Sequence, residues 1–338
     1  MIKNLSMFAN ISGEGVFKQS PEDFDVSENL KFEPEGQGDH VYLYVQKTGA
    51  NTEWLQRQLA RIAELSVKDV GYAGLKDRHA VCRQWFSLYS PHRDLTFQEL
   101  PEGIQVLTQT RGKKKLKQVA VRSNTFKLKI YYSNIDKIKL NQQLTVIRER
   151  GFPNFFGNQR FGKDAANLNA LLAVAKGKRL KPALRSLAIS AGRSYLFNLM
   201  LNARVKQNTW DQWIEGDVAI LNDSRSIFPV EIVDEELSRR LREFDIHPAL
   251  PLYGLGEWPS QHEQRLLEQN VYSENPELVK ALEKLKIEIM PRAGRVLPRD
   301  MQWTIEDECL QISFTLGAGS FATTLLEQVF DLREPERI

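Results

Sequence analysis

Cysteine is almost missing from this 338-residue chain: Cys82 and Cys309 stand alone and far apart. Two such thiols build neither a disulfide framework nor a metal motif, and they suit a reducing, cytoplasmic compartment. The five histidines, His40, His79, His92, His247 and His262, are scattered singly, so no metal is expected. No apolar run approaches the ~18 residues of a membrane span, and residues 168–175 come nearest. The amino terminus shows no basic stretch leading into an apolar one, so no secretory signal is expected. Also lacking are a Gly-x-x-x-x-Gly-Lys-Ser/Thr phosphate loop, a Gly-x-Ser-x-Gly elbow and a His-Glu-x-x-His helix. Gly317-x-Gly319 has no third glycine, which disfavours a dinucleotide fingerprint. There is no internal repeat and no low-complexity segment.

What is present is a globular composition, 42% hydrophobic and 26% charged, long enough for about two domains. The net charge of +3 says little, but its distribution says more. Residues 111–117 read Arg-Gly-Lys-Lys-Lys-Leu-Lys, placing Lys113, Lys114, Lys115 and Lys117 together, with Arg122, Lys127 and Lys129 close behind. A second cluster holds Lys176, Lys178, Arg179, Lys181 and Arg185, whereas residues 231–236 are acidic. Concentrated cations of this kind fit a surface that tracks phosphates, or else a solvated loop and helix face.

Alternation at residues 40–46 predicts a strand, followed by a turn near Gly49 and a helix capped by Asn51 or Thr52, with Leu55, Leu59 and Ile62 on one face. Residues 85–89 and 126–132 are strand-like, the latter turning Lys127 and Lys129 away from its apolar side. A helix over 140–150 is stopped by Gly151 and Pro153, and residues 153–162 form an unusual aromatic and glycine-rich turn. Helical patterns then dominate (164–176, 193–205, 235–244, 261–271, 276–285), with a turn-rich connection at 248–254. Alternation returns at 310–316, and Ser320 is placed to cap a helix bearing Leu325, Val329 and Leu332. A late strand most simply rejoins the first sheet, making the middle an insertion.

Residues 71–84, Gly-Tyr-Ala-Gly-Leu-Lys-Asp-Arg-His-Ala-Val-Cys-Arg-Gln, set one carboxylate, Asp77, among Lys76, Arg78, His79 and Arg83. A carboxylate among cations stays ionised and can act on a polyanionic substrate. The bland alternative is a surface turn with an ordinary ion pair. Phe24, Phe126 and Phe321 lie near polar turns, where aromatic rings can stack an unpaired base or simply fill a core.

Residues 21–28 (Pro-Glu-Asp-Phe-Asp-Val-Ser-Glu) resemble the first signature of the TruD family of tRNA pseudouridine synthases. Residues 74–80 (Gly-Leu-Lys-Asp-Arg-His-Ala), with Gln84 downstream, resemble its catalytic signature. Residues 123–126, 153–162 and 318–323 resemble the remaining blocks in the family's order. The resemblance implies an α/β (α+β) fold: a mixed-sheet catalytic core, residues 1–150 and 296–338, interrupted by a largely helical inserted domain, residues 151–295. It implies Asp77 as catalytic residue, Phe24, Asn124 and Phe321 holding the nucleotide, and Phe126 against the flipped base. Lys76, counted with the substrate-binding residues, Arg78 or Arg83 would keep Asp77 ionised or meet phosphate. Lys113, Lys114, Lys115 and Lys117 would hold the tRNA backbone. Cys82 departs from the family, which more often has threonine there. The implied reaction is conversion of uridine to pseudouridine, at position 13 in the D-arm, by a cytoplasmic monomer that uses no cofactor. The rivals are a catalytically silent tRNA-binding protein of the same fold and an unrelated aspartyl phosphotransferase.

Overall fold

The computed structural model describes residues 3–335. Its contacts divide the chain into two units, each assembled from separated stretches. One comprises Ser12–Asn141, Pro298–Gly319 and the stretch from Phe330 onward; the other comprises the stretch ending at Ile11, Gln142–Leu297 and Ser320–Val329. The architecture is mixed α/β.

The first unit is built on one mixed sheet. Its first seven strands are β1 (Gly13–Phe17), β2 (Phe24–Leu30), β3 (His40–Lys47), β4 (Val70–Tyr72), β5 (Val81–Tyr89), β6 (Ile104–Gly112) and β7 (Val121–Tyr131). The order across the sheet is Arg299–Ile305, Cys309–Gly317, β7, β2, β5, β3, β6. β4 adds to β5, while β1 joins β7 to the strand Phe330–Arg333. β2 and β5 run parallel, and the other neighbours on that path are antiparallel. The helix Thr52–Ile62 (α1) packs Leu55, Leu59 and Ala60 onto Val41, Leu43 and Val45 of β3 and Phe86 and Leu88 of β5. Each such fully buried aliphatic side chain contributes about 1.5–3 kcal/mol. The late strand Cys309–Gly317 does rejoin this sheet, against β7.

The expected helix after Ser320 is shorter than its periodicity suggests. Ala322–Leu326 is helical with Phe321 at its N-cap, and the chain then turns into Phe330–Arg333, which takes Leu332 into a strand. Pairing with β1 wins because Gly15 leaves room for Phe330, whose Cγ would lie 2.9 Å from a Cβ placed there.

The second unit centres on the 25-residue helix Pro182–Lys206, surrounded by Ala166–Ala175, His262–Glu274 and Pro276–Lys284. Gly192 sits in mid-helix, where it costs helix propensity but lets Leu171 approach the backbone. Residues 248–254 are not merely a connection. Ile246–Leu252 is a strand of a four-stranded sheet with Ile227–Pro229, Val218–Leu221 and Met290–Ala293. Its prolines hid it: Pro248 is in register with Ala219 and its carbonyl accepts from the Gly294 amide (2.8 Å) on the other side, while Pro251 is in register with Pro291.

Candidate active site

Side chains alternate along a strand, so register decides which groups meet. Pairing of Val26 with Cys82 and Phe126, of Glu28 with Asn124, and of Cys82 with Lys47 sets these residues on one face of the sheet. Phe24 lies on that face too, its ring edge-on to Phe126 at 6.1 Å. The loop carrying Asp77, between β4 and β5, lies over it.

That loop is tightly determined. Gln84 Nε2 donates to the Gly74 carbonyl (3.1 Å), and the amide of Lys76 donates to Thr52 Oγ1 (3.0 Å), which itself donates to Gln84 Oε1 (2.9 Å). Lys47 is fully buried and donates to the carbonyls of Ala50 (2.6 Å) and Asp77 (2.7 Å). The two glycines serve close approach: a Cβ at Gly71 would strike the Leu116 carbonyl at 2.5 Å, and one at Gly74 would strike Glu28. The Cys82 thiol donates to the Asp77 carbonyl (3.4 Å), and burial pushes its pKa up to about 11. It therefore remains a neutral donor at physiological pH.

The Asp77 side chain is 37% exposed. One oxygen accepts from Lys18 Nζ at 2.5 Å and the other from the amide of His79 at 3.0 Å. Burial tends to raise its pKa, but the Lys18 ammonium and the His79 amide outweigh that and hold the carboxyl below its ordinary value. Lys18 is only 7% exposed, has a left-handed backbone (φ 58°), and hangs 4.7 Å over the Phe24 ring. A strained residue that clamps an exposed carboxylate is the pattern of a working site.

The cations adjacent to Asp77 in sequence do not supply this clamp. Lys76 pairs with the buried Glu28 (2.5 Å), Arg83 pairs with Asp25 (2.5 Å) on the opposite face, and Arg78 Nε donates to the Gly49 carbonyl. Their expected role in keeping Asp77 ionised passes to Lys18. The opposite face also carries Lys127, Lys129 and a stacked Tyr44–Trp85 pair at 4.9 Å. Lys113, Lys114, Lys115 and Lys117 are exposed on a loop pinned by Leu116, whose amide donates to Ser87 Oγ.

Asn124 presents a buried Oδ1 with no hydrogen-bond partner among the described residues. A lone buried acceptor is costly unless something donates to it. Phe24 and Phe126 are largely buried, the latter also against Phe314 (5.5 Å), so they form the floor of this face. Phe321 belongs to the other unit, where it packs edge-on to Phe156.

Lys18 and Lys47 escaped the sequence reading because 59 and 30 residues separate them from Asp77. Lys47 had a signal: the period of two in β3 puts it on the inner face with Val41, Leu43 and Val45. Lys47→Met retains the stem and removes the donors, leaving the Ala50 carbonyl without Lys47 and the Asp77 carbonyl with the weak Cys82 thiol in its place. A loss of about 1–3 kcal/mol is expected in denaturant unfolding; an unchanged midpoint would show that Lys47 does not hold the loop.

The family model for tRNA pseudouridine synthase D (TruD) matches residues 7–175 and 166–329. A tRNA pseudouridine synthase D of Hydrogenovibrio crunogenus is 37% identical over 340 residues, covering 98% of both chains. That of Nitrosococcus oceani is 39% identical over 321 residues, covering 93% of this chain and 90% of its own. A crystal structure from Methanosarcina mazei described by the same name is similar in fold, with a TM-score of 0.72 at 20% identity, covering 97% of this chain and 96% of its own.

Proposed function

The chain belongs to the tRNA pseudouridine synthase D family, and from that premise we propose that it isomerises uridine 13 in the D-arm of tRNA, with Asp77 as the reacting carboxylate. One observation carries the assignment of Asp77: it is an exposed carboxylate, kept ionised by Lys18, on the sheet face that bears the unpartnered Asn124 acceptor. Cleaving C1′–N1, turning the base and joining C5 to C1′, with the C5 proton released and N1 taking one up, adds and removes no electrons overall, so the reaction needs no redox partner. An ionised oxygen serves either route open to it, attack on the nucleoside or removal of a ribose proton.

The target must first leave its stack, at a cost of a few kcal/mol. Contacts to Phe24 and Phe126 offset that cost, as base–aromatic stacking is worth about 1–3 kcal/mol per base. Asn124 Oδ1 accepts from the uracil N3–H or a ribose hydroxyl, ending its isolation. Lys76, held beside Asn124 through Glu28, which balances its charge, shares its donors between Glu28 and the nucleotide. The partner is tRNA, met in the cytoplasm by a monomer.

Tritium release from C5-labelled uridine in unmodified tRNA, with mapping of the product, tests the reading. Release with pseudouridine at position 13 is expected, and binding without release would leave a silent tRNA-binding protein instead. Neutralising Lys113, Lys114 and Lys115 together should weaken tRNA binding and lower the slope of log K against log salt by about 0.9 for each phosphate no longer neutralised. An unchanged slope would return that loop to the solvent.

A further inference from the structure

The aromatic turn at residues 153–162 has no part in the chemistry above, yet it carries an unusual concentration of positive charge. Arg292 stacks its guanidinium 3.9 Å from the centre of the Phe156 ring, and Arg160 lies 5.2 Å from the same centre and 5.4 Å from that of Phe321. Two like charges over one ring repel each other, and hydrogen bonds hold them there. Arg160 donates to Ser190 Oγ (2.9 Å), and Arg292 donates to the carbonyl and Oδ1 of Asn154. Among the described residues Arg160 makes no salt bridge. Burial lowers the pKa of both side chains, and the Arg160 charge helps to bring that of Arg292 down to about 9. Beyond Arg160 the backbone is strained, with Asp164 and Ala165 both left-handed (φ 51° and 59°).

We propose that Arg160 and Arg292 form a phosphate site that grips a backbone phosphodiester of the RNA substrate, with Phe156 and Phe321 holding the guanidinium planes. Planar forked donors match a phosphate's oxygens two at a time, and an aromatic floor keeps the fork oriented without neutralising it. Sequence-independent grip of this kind fixes where the strand lies and leaves base choice to other groups. The inference rests on the reading that the substrate is RNA.

The test pairs Arg160→Gln and Arg160→Lys with unmodified tRNA carrying single methylphosphonates, each of which removes one backbone charge. Wild-type enzyme should lose about tenfold in kcat/KM at one position of the scan, the size of one charge-assisted hydrogen bond. Arg160→Gln should lose about tenfold on ordinary tRNA and show a smaller further penalty than wild type at that position, where Arg292 remains, while Arg160→Lys recovers part of the loss because it keeps the charge without the fork. Losses that multiply at every position, or Arg160→Gln turning over tRNA as wild type does, would overturn the proposal. Should Arg160→Gln fail to fold, the same scan with Arg160→Lys decides: a smaller penalty than wild type at one position upholds the site, and equal penalties throughout overturn it. Wild-type enzyme releasing no tritium would strike the underlying RNA reading instead, so the two failures are distinguishable.

Discussion

Asp77→Asn should lower pseudouridine formation by roughly three orders of magnitude or more, the scale at which removal of a reacting group is felt. The substitution keeps the side chain's size but leaves one acceptor oxygen, which can serve Lys18 or the His79 amide and not both, since Nδ2 only donates. It also removes the charge that either route requires. The loop should survive, because its anchors are backbone groups: the Asp77 carbonyl held by Lys47 and Cys82, and the Lys76 amide held by Thr52. Binding of tRNA should stay within a few-fold of wild type. Tritium release and filter binding measured on one preparation check both halves. Substantial turnover by the variant would refute the assigned role.

Lys18→Met should have the next largest effect, a fall of about ten- to a hundredfold in kcat/KM, as expected for loss of a hydrogen bond between charged groups. It should also change the pH profile, in a direction fixed by the balance of forces on Asp77. In the folded protein the Asp77 pKa lies below its ordinary 3.8, with burial opposing the shift and Lys18 leading the groups that produce it. A carboxyl depressed in this way stabilises the fold above its unfolded pKa, and that contribution is lost as pH falls through the folded one. Wild-type activity should therefore hold down to acidic pH as far as Asp77 is concerned. Without Lys18, burial has less opposition, and the acid limb of kcat/KM should move to higher pH. A limb that stays in place would show that another group controls the charge on Asp77.

The parts of the fold written in local pattern were legible before the structure. The strands around residues 40–46 and 126–132, the helices at 140–150 and 276–285, and the return of alternation at 310–316 all follow from periodicity within a few residues of chain. The strand Ile246–Leu252 was not, because two prolines read locally as turn and only its partners on either side reveal a ladder. The helix expected after Ser320 failed for a related reason, since β1, more than 300 positions earlier, claims the chain from Phe330. The site divides in the same way. Asp77 with its flanking glycines stands out as a contiguous motif, and Asn124 as part of another. Lys18, directly after β1, enters only when β1 joins β7 and β7, β2 and β5 come into register, because a charge pair between distant segments leaves no mark in spacing. For the same reason Lys76 and Arg83, close to Asp77 in sequence, were credited with a task that the fold gives to a more distant residue.

The parallel pairing of β1 with Phe330–Arg333 bears on how the protein is made. Gly13 leaves the ribosome more than 300 residues before Phe330, and the edge it offers on this side stays unclosed until that strand follows. Through most of synthesis that rim stays open to non-native partners, the circumstance in which nascent chains most need a chaperone.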